Sequence, residues 1–301
     1  GGVQGVAAQD ASDAGASSNN RLLEEVIVTA QKREQRLIDV PISIVAVGED
    51  IIREAGIQNM NDLSYAVPNL SIVETSSGQK TITMRGLGNS LGSSPTVGIY
   101  LDEMPLSINT SITVDLQTID LQRLEVLRGP QGTLYGQGSI GGTIRYITKL
   151  PSFDGFEGEI GASAYSTTGG DLSEEITAIA NIPIFDEKLA FRMAATYKDK
   201  GGWIDQPNLD NANDNELTNI RIKGLWQIFD GFTANAMIAQ YKNDAGGTNV
   251  TNVGSVTDSN YRVVPVNGAD LATTDFTNEY DLYNLTLNYD LGFATLTSSS
   301  S

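Results

Sequence analysis

The sequence predicts an α+β domain followed by antiparallel transmembrane β-barrel strands. Residues 31–150 mix short apolar strands with helix signals, whereas residues from about 156 onward alternate apolar and polar side chains with period two. Tight turns and longer loops take turns in joining the alternating segments, as in outer-membrane barrels. Formal charge divides the chain at the same place. It is -3 over residues 1–30, -2 over residues 31–150 and -13 over residues 151–301.

Residues 1–23 are dominated by Gly, Ala, Ser, Asn and Asp and form the expected disordered tail, too poor in apolar surface to offset its conformational entropy. The chain opens on Gly1 rather than Met, so a trimmed or processed start is expected, and Ala7-Ala8-Gln9 could end a cleavage region. No apolar run approaches eighteen residues, so no transmembrane helix is expected. The mean hydropathy of -0.15 resembles that of a soluble protein, but an alternating strand averages its lipid-facing residues away.

Cysteine and histidine are both absent, which removes disulfides, thiolate and imidazole metal sites and Ser-His-Asp triads from these 301 residues. A net charge of -18 argues against nucleic acid, which needs clustered Lys and Arg. No cofactor is expected. Close carboxylates such as Asp102-Glu103 and Glu174-Glu175 read as loop and rim charges, so an enzyme is the least favoured class.

In the first domain, Ile42–Val47 reads as a strand, followed by a short helix from Glu49 to Ala55 that Gly56 can end. Asn59 is a candidate N-cap, with Asp62 three residues on, for a helix stopping before Pro68. Strands then recur at Leu70–Glu74, Thr81–Arg85, Val97–Asp102, Leu121–Leu127 and Thr143–Thr148.

In the second half, Leu189, Phe191, Met193, Ala195 and Tyr197 share one face, opposite Ala190, Arg192, Ala194, Thr196 and Lys198. Ile220, Ile222, Trp226 and Ile228 oppose Asn219, Arg221, Lys223 and Gln227; Tyr283, Leu285, Leu287 and Tyr289 oppose Asn284, Thr286 and Asn288. Phe232, Ala234, Ala236 and Ile238 oppose Thr233, Asn235 and Met237. Weaker alternation occupies Phe156–Ser166, Glu175–Ile184 and Phe293–Ser298, giving about seven strands.

Two motifs need weighing. Gly136-Gln137-Gly138-Ser139-Ile140-Gly141 matches G-x-G-x-x-G, but the following residues, Gly142 to Thr148, are strand-like. Without a helix N-terminus there is no phosphate site. Glu25-Val26-Ile27-Val28-Thr29-Ala30 is a strand former between the tail and the first domain. It reads either as that domain's first strand or as a tethered peptide that joins another protein's sheet edge through main-chain hydrogen bonds.

Glu25–Ala30 and the following Gln31-Lys32-Arg33-Glu34-Gln35 resemble the TonB box and its sequel in TonB-dependent outer-membrane receptors. Asp39–Ser43, Met84-Arg85-Gly86, Val97–Asp102, Leu124–Gly136 and Gly141–Lys149 resemble, in order, the plug signature of that family. The resemblance implies a coupling segment over residues 24–31, a plug domain over 32–150, and over 151–301 the first strands of a barrel of about 22 strands. Seven strands leave open edges and cannot span a membrane alone, so the chain is expected to be a fragment.

What the resemblance further implies is active import across the outer membrane of a Gram-negative bacterium, with the plug and N-terminus facing the periplasm. The ligand would be a scarce compound: an iron-siderophore complex first, with cobalamin or a saccharide as alternatives. Glu25, Val26, Ile27, Val28, Thr29 and Ala30 would engage the C-terminal domain of TonB. Arg85 and Arg128 would form a plug–barrel latch with acidic barrel residues, the alternative being weak surface pairs.

Candidate substrate contacts are Asn89, Ser90, Leu91, Met104, Leu106 and Asn109, in loops 87–94 and 104–113 expected to expose apolar side chains; ordinary solvent loops are the alternative. A passive porin would need neither plug nor coupling strand. A signal-transducing receptor would carry a folded domain before the TonB box.

Overall fold

The computed structural model describes residues 27–30, 32–76, 79–88, 93–106, 116–136, 138–185, 187–203, 211, 213–246, 255–257, 263–265 and 276–301. Glu25, Val26, Asn89, Ser90, Leu91 and Asn109 lie outside the described residues.

The first domain opens with a hairpin of β1 (Ile27–Val28) and β2 (Gln35–Arg36). After a 3-10 turn at Leu37–Asp39 come β3 (Ile44–Gly48) and α1 (Glu49–Glu54), with Gly56 taking a φ of +65° just past the helix. The second helix, α2, is shorter than expected, Leu63–Ala66. Asn59 does not cap it. Its side chain accepts from the Asn61 N–H, while the Asp62 carboxylate accepts from the N–H groups of Gln58 and Asn59, holding this stretch as a turn.

There follow β4 (Leu70–Ser76), β5 (Gln79–Met84), β6 (Leu87–Gly88), β7 (Val97–Leu101) and β8 (Met104–Pro105), then β9 (Leu121–Arg128), α3 (Gly132–Tyr135) and β10 (Gly142–Thr148). The rejected phosphate motif does lead into a strand, β10. Strands β4, β5 and β6 form a small antiparallel sheet. A five-stranded sheet runs β3-β9-β10-β7-β8, with β10 parallel to β7 and antiparallel to β9.

Period-two geometry gives the five-stranded sheet two different faces. Ile99, Leu101, Leu124, Val126, Ile144 and Tyr146 enter the main core with α1, α2 and the small sheet. Their neighbours Tyr100, Glu125, Leu127 and Arg145 lie on the reverse face, where Leu127 and Tyr100 join Val28, Ala30, Val40 and Tyr135 in a second apolar cluster.

The second half is an antiparallel meander of β11 (Glu157–Ser166), β12 (Leu172–Phe185), β13 (Leu189–Lys200), β14 (Asn215–Phe229) and β15 (Phe232–Ala245). After a separate small hairpin, β16 (Ser255–Thr257) with β17 (Val263–Pro265), it continues with β18 (Phe276–Asp290) and β19 (Thr295–Ser300). Short connections between β12 and β13, β14 and β15, and β18 and β19 alternate with longer ones, as the sequence predicts.

The predicted faces are also found. Ile220, Ile222, Trp226, Ile238, Tyr283 and Leu285 are exposed on the outer surface, whereas Arg192, Asn219, Arg221, Lys223, Met237 and Asn284 are buried on the inner one. Leu217, Met237 and Tyr241 of this wall pack into the same core as the first domain. No helix among the described residues is long and apolar enough to cross a membrane, which says nothing about a barrel.

Gly142 marks the tightest approach in the first domain. A Cβ there would lie 2.4 Å from the carbonyl oxygen of Leu127 and 2.1 Å from the sulfur of Met84. Gly142→Ala is expected to destabilise the domain by about 1–3 kcal/mol through overpacking, read as a lower denaturation midpoint of the intact protein.

Candidate functional site: a docked strand and a charged wall

The N-terminal strand and the residues after it, Ile27–Ala30, lie against the reverse face of the five-stranded sheet. Val28 and Ala30 are buried beside Tyr100, Leu127 and Tyr135, while Ile27 is 40% exposed. The strand is thus held within its own chain, paired by Ile27 to Arg36 and by Val28 to Gln35.

Charges on the sheet decide where it sits. Arg145 is directly opposite Glu125 on β9 and Tyr100 on β7, so the three side chains share one patch. Arg145 and Glu125 are both fully buried and paired at 2.6 Å. The Thr29 N–H donates to Glu125 Oε1 at 2.8 Å, and the Thr29 hydroxyl accepts from Arg145 at 3.0 Å and from Arg123 at 3.1 Å. Arg123 also pairs with Glu125 at 2.8 Å.

Tyr135 completes the dock. Its hydroxyl donates to the Ala30 carbonyl at 2.7 Å, and its ring lies 5.5 Å from the Arg145 guanidinium and 4.8 Å from the Lys32 ammonium. Burial pushes the Tyr135 hydroxyl well above the ordinary tyrosine range, so it remains a donor at neutral pH. Glu103 bridges Arg145, at 2.9 Å, and Lys32.

A second charged cluster joins the first domain to the wall. Arg192 of β13 grips the Asp120 carboxylate through Nε at 2.9 Å and Nη2 at 2.7 Å. Arg221 of β14 donates to the carbonyls of Ile119 and Asp120 at 2.9 and 3.2 Å. Lys223 pairs with Asp102 at 2.8 Å and donates to the Thr148 hydroxyl. Asn181 of β12 ties down the connection between the halves, accepting from Ser152 N–H and donating to the carbonyls of Ser152 and Gly155.

This contact is separate from the one expected at Arg85 and Arg128 and has the reverse polarity. Here the acids are on the first domain and the bases on the wall, because this region of the wall presents Arg192, Arg221 and Lys223 inward. Arg85 lies not within a strand but in the turn after β5, exposed and with a φ of +52°. Its guanidinium lies over Gly129, next to Arg128 in sequence. The Arg128 Nε is buried without a hydrogen-bond partner, and among the described residues neither arginine forms an ion pair.

Met104 and Leu106 are not exposed loop residues. They are 4% and 7% exposed and belong to the main core, because β8 folds back onto β7 and Leu106 N–H bonds the Ile99 carbonyl at 2.8 Å. Asp102-Glu103 is the two-residue turn of that hairpin rather than a solvent-facing rim, and Glu175 faces inward to pair with Lys198 at 3.3 Å.

Glu125, Arg145, Asp120 and Tyr135 were missed by sequence reasoning. The signal available was a charge within an apolar strand, as in Leu124-Glu125-Val126 and Ile144-Arg145-Tyr146.

Two outcomes follow from the wall cluster. Asp120→Ala leaves Arg192 buried without its carboxylate and is expected to lower stability by about 3–5 kcal/mol, measurable by denaturant titration of the intact protein. Burial pushes the Asp102 carboxyl up, but the Lys223 charge and the Lys223 and Thr148 hydrogen bonds outweigh it and hold it below the ordinary value of 3.8. Stability from this group is therefore complete above pH 3.8 and lost as pH falls through the lowered value. Midpoints measured across an acid pH series should show that loss in the native protein and not in Asp102→Asn.

Comparison with known proteins agrees with this architecture. Residues 36–143 match the TonB-dependent receptor plug domain. The chain is 26% identical over 247 residues to a hemin receptor of Yersinia enterocolitica, covering 80% of this chain and 35% of that protein. It is 36% identical over 132 residues to the pesticin receptor of Yersinia pestis, covering 42% of this chain and 19% of that protein. The chain thus spans about a third or less of the length of these two relatives. The crystal structure of the ferric yersiniabactin uptake receptor FyuA from Yersinia pestis superposes with a TM-score of 0.70 at 22% identity, over 83% of this chain and 38% of that one. Residues 36–143 are thus a plug domain of the TonB-dependent receptor type, and the meander wall that follows is similar in fold to the barrel part of such a receptor.

Proposed function

We propose that this chain provides the coupling segment, plug and first wall strands of a Gram-negative outer-membrane receptor. The receptor takes up a scarce extracellular ligand, an iron complex of the siderophore class, and imports it into the periplasm with energy transmitted by TonB. The observation that carries the reading is the short strand at Ile27–Ala30, docked on a plug that is itself fixed to a wall with an apolar outer face. A passive channel has no use for such a segment. Support for the iron complex comes from the relatives, which are named as receptors for hemin and pesticin and for uptake of ferric yersiniabactin.

In this reading residues 25–30 are the part that TonB pulls, by adding the segment as a strand to its own sheet edge. Glu25 and Val26 precede the docked strand in sequence and belong to the same proposed segment. Arg85 and Arg128 form a further plug contact, and the buried, unpartnered Nε of Arg128 is suited to an acid from elsewhere in the barrel. Asn89, Ser90, Leu91 and Asn109 remain the candidate ligand contacts among the residues proposed from the sequence, whereas Met104 and Leu106 act as core.

Ile27→Pro removes a main-chain donor from the segment. It is expected to abolish energised accumulation of radiolabelled ferric yersiniabactin or hemin by whole cells, with surface binding of the same probe retained. Normal accumulation by the variant would refute the coupling role. Growth of a deletion strain on each iron source separately tests the ligand class.

A further inference from the structure

The turn Asp102-Glu103 touches both charged clusters. Asp102 faces the wall, where its carboxylate pairs with Lys223 at 2.8 Å and accepts from the Thr148 N–H at 2.8 Å. Its neighbour Glu103 faces the dock, where it pairs with Arg145 at 2.9 Å and with Lys32. Arg145 in turn holds Glu125 and the Thr29 hydroxyl. The turn is also constrained between its arms: Asp102 has a φ of +51°, and its N–H donates to the carbonyl of Tyr146, the residue after Arg145.

We propose that Asp102 and Glu103 are positioning residues that make docking of the coupling segment depend on the contact between plug and wall. Two adjacent carboxylates in a two-residue turn share its backbone, so displacement of one shifts the other. If Lys223 releases Asp102, the turn loses its outer anchor, Glu103 withdraws from Arg145 and Lys32, and the patch that holds Thr29 loosens. A disturbance of the wall at β14 is thereby transmitted to Thr29 through a continuous chain of ion pairs. The inference rests on the reading of residues 25–30 as the coupling segment.

The test measures access to the dock directly. The chain contains no cysteine, so Ala30→Cys places a single thiol in these 301 residues, at a position that is 1% exposed. Maleimide labelling of the intact protein in outer-membrane vesicles then reports opening of the segment. Lys223→Met and Glu103→Gln should each speed labelling roughly tenfold, as expected for a local opening equilibrium, and Lys223→Arg should restore most of the protection.

Arg192→Met is the discriminating comparison. It breaks a plug–wall pair whose carboxylate is more deeply buried than Asp102 and that does not involve this turn, and should leave labelling near the starting rate even where the denaturation midpoint falls. Equal acceleration by Arg192→Met and Lys223→Met would overturn the proposal in favour of general loosening, as would unchanged labelling in Glu103→Gln. These results are independent of the Ile27→Pro uptake assay, so failure of the linkage and failure of the coupling assignment are separable.

Discussion

Arg145 and Glu125 are opposite one another in the centre of a β-sheet, both without solvent contact. Taking two such charges out of water carries a desolvation cost that mutual attraction repays only if their remaining hydrogen-bonding capacity is also used. The sheet's own strands offer one further group on that face, Arg123 of β9, because strands β9 and β10 have already paired their main chains. The missing partners arrive from Thr29, Glu103 and Arg123. The dock for the N-terminal strand is thus a consequence of the charge pair: a segment carrying a small hydroxyl residue between two small apolar ones fits, with Thr29 on the ions and Val28 and Ala30 on the rings of Tyr100 and Tyr135.

The same constraint operates at the wall, where it gives a firmer contact. Asp120 receives a two-pronged guanidinium from Arg192, while Arg221 caps the carbonyls beside it, so a single plug turn satisfies two wall cations. Inward-facing residues of an outer-membrane barrel can be polar because the lumen is wet. Once a plug fills that lumen they are buried, and each needs a partner of opposite sign. That is why acids occur on the plug turns that meet β13 and β14.

Elements governed by local rules were legible in the sequence. Alternation in β13, β14, β15 and β18 is a period-two pattern visible within ten residues, and its apolar face emerged as the exposed one. The helix at Glu49 and the strands of the plug were readable for the same reason. Pairings set by distant residues were not: the partner of Arg145 is twenty positions away and that of Arg192 seventy-two. Arg85 and Arg128 were expected from the resemblance to carry the plug's charge contacts, yet Arg145 in the sheet is paired by Glu125 and the wall's Arg192 by Asp120. Met104 and Leu106 looked like loop residues because β8 is only two residues long, too short to show a period.

The two docks differ in what they can resist. Breaking the wall contact exposes several ions at once, each hydrogen-bonded in a fixed fork, and such pairs cost about 3–5 kcal/mol when one partner is removed. The N-terminal strand is held by burial of Val28 and Ala30 and a few hydrogen bonds. Those amount to about 1.5–3 kcal/mol for a Val-sized side chain and roughly 1 kcal/mol for each bond. A strand held that loosely can be exchanged for a partner's sheet edge, because the new main-chain bonds replace the old ones nearly one for one. A plug whose wall contacts were equally weak would leave with the strand. A force applied at Ile27–Ala30 would therefore separate this strand from the plug before it separated the plug from the wall. The difference in strength comes from where each ion pair sits: Arg145 and Glu125 neutralise each other with or without Thr29, whereas Arg192 has no carboxylate as close as Asp120.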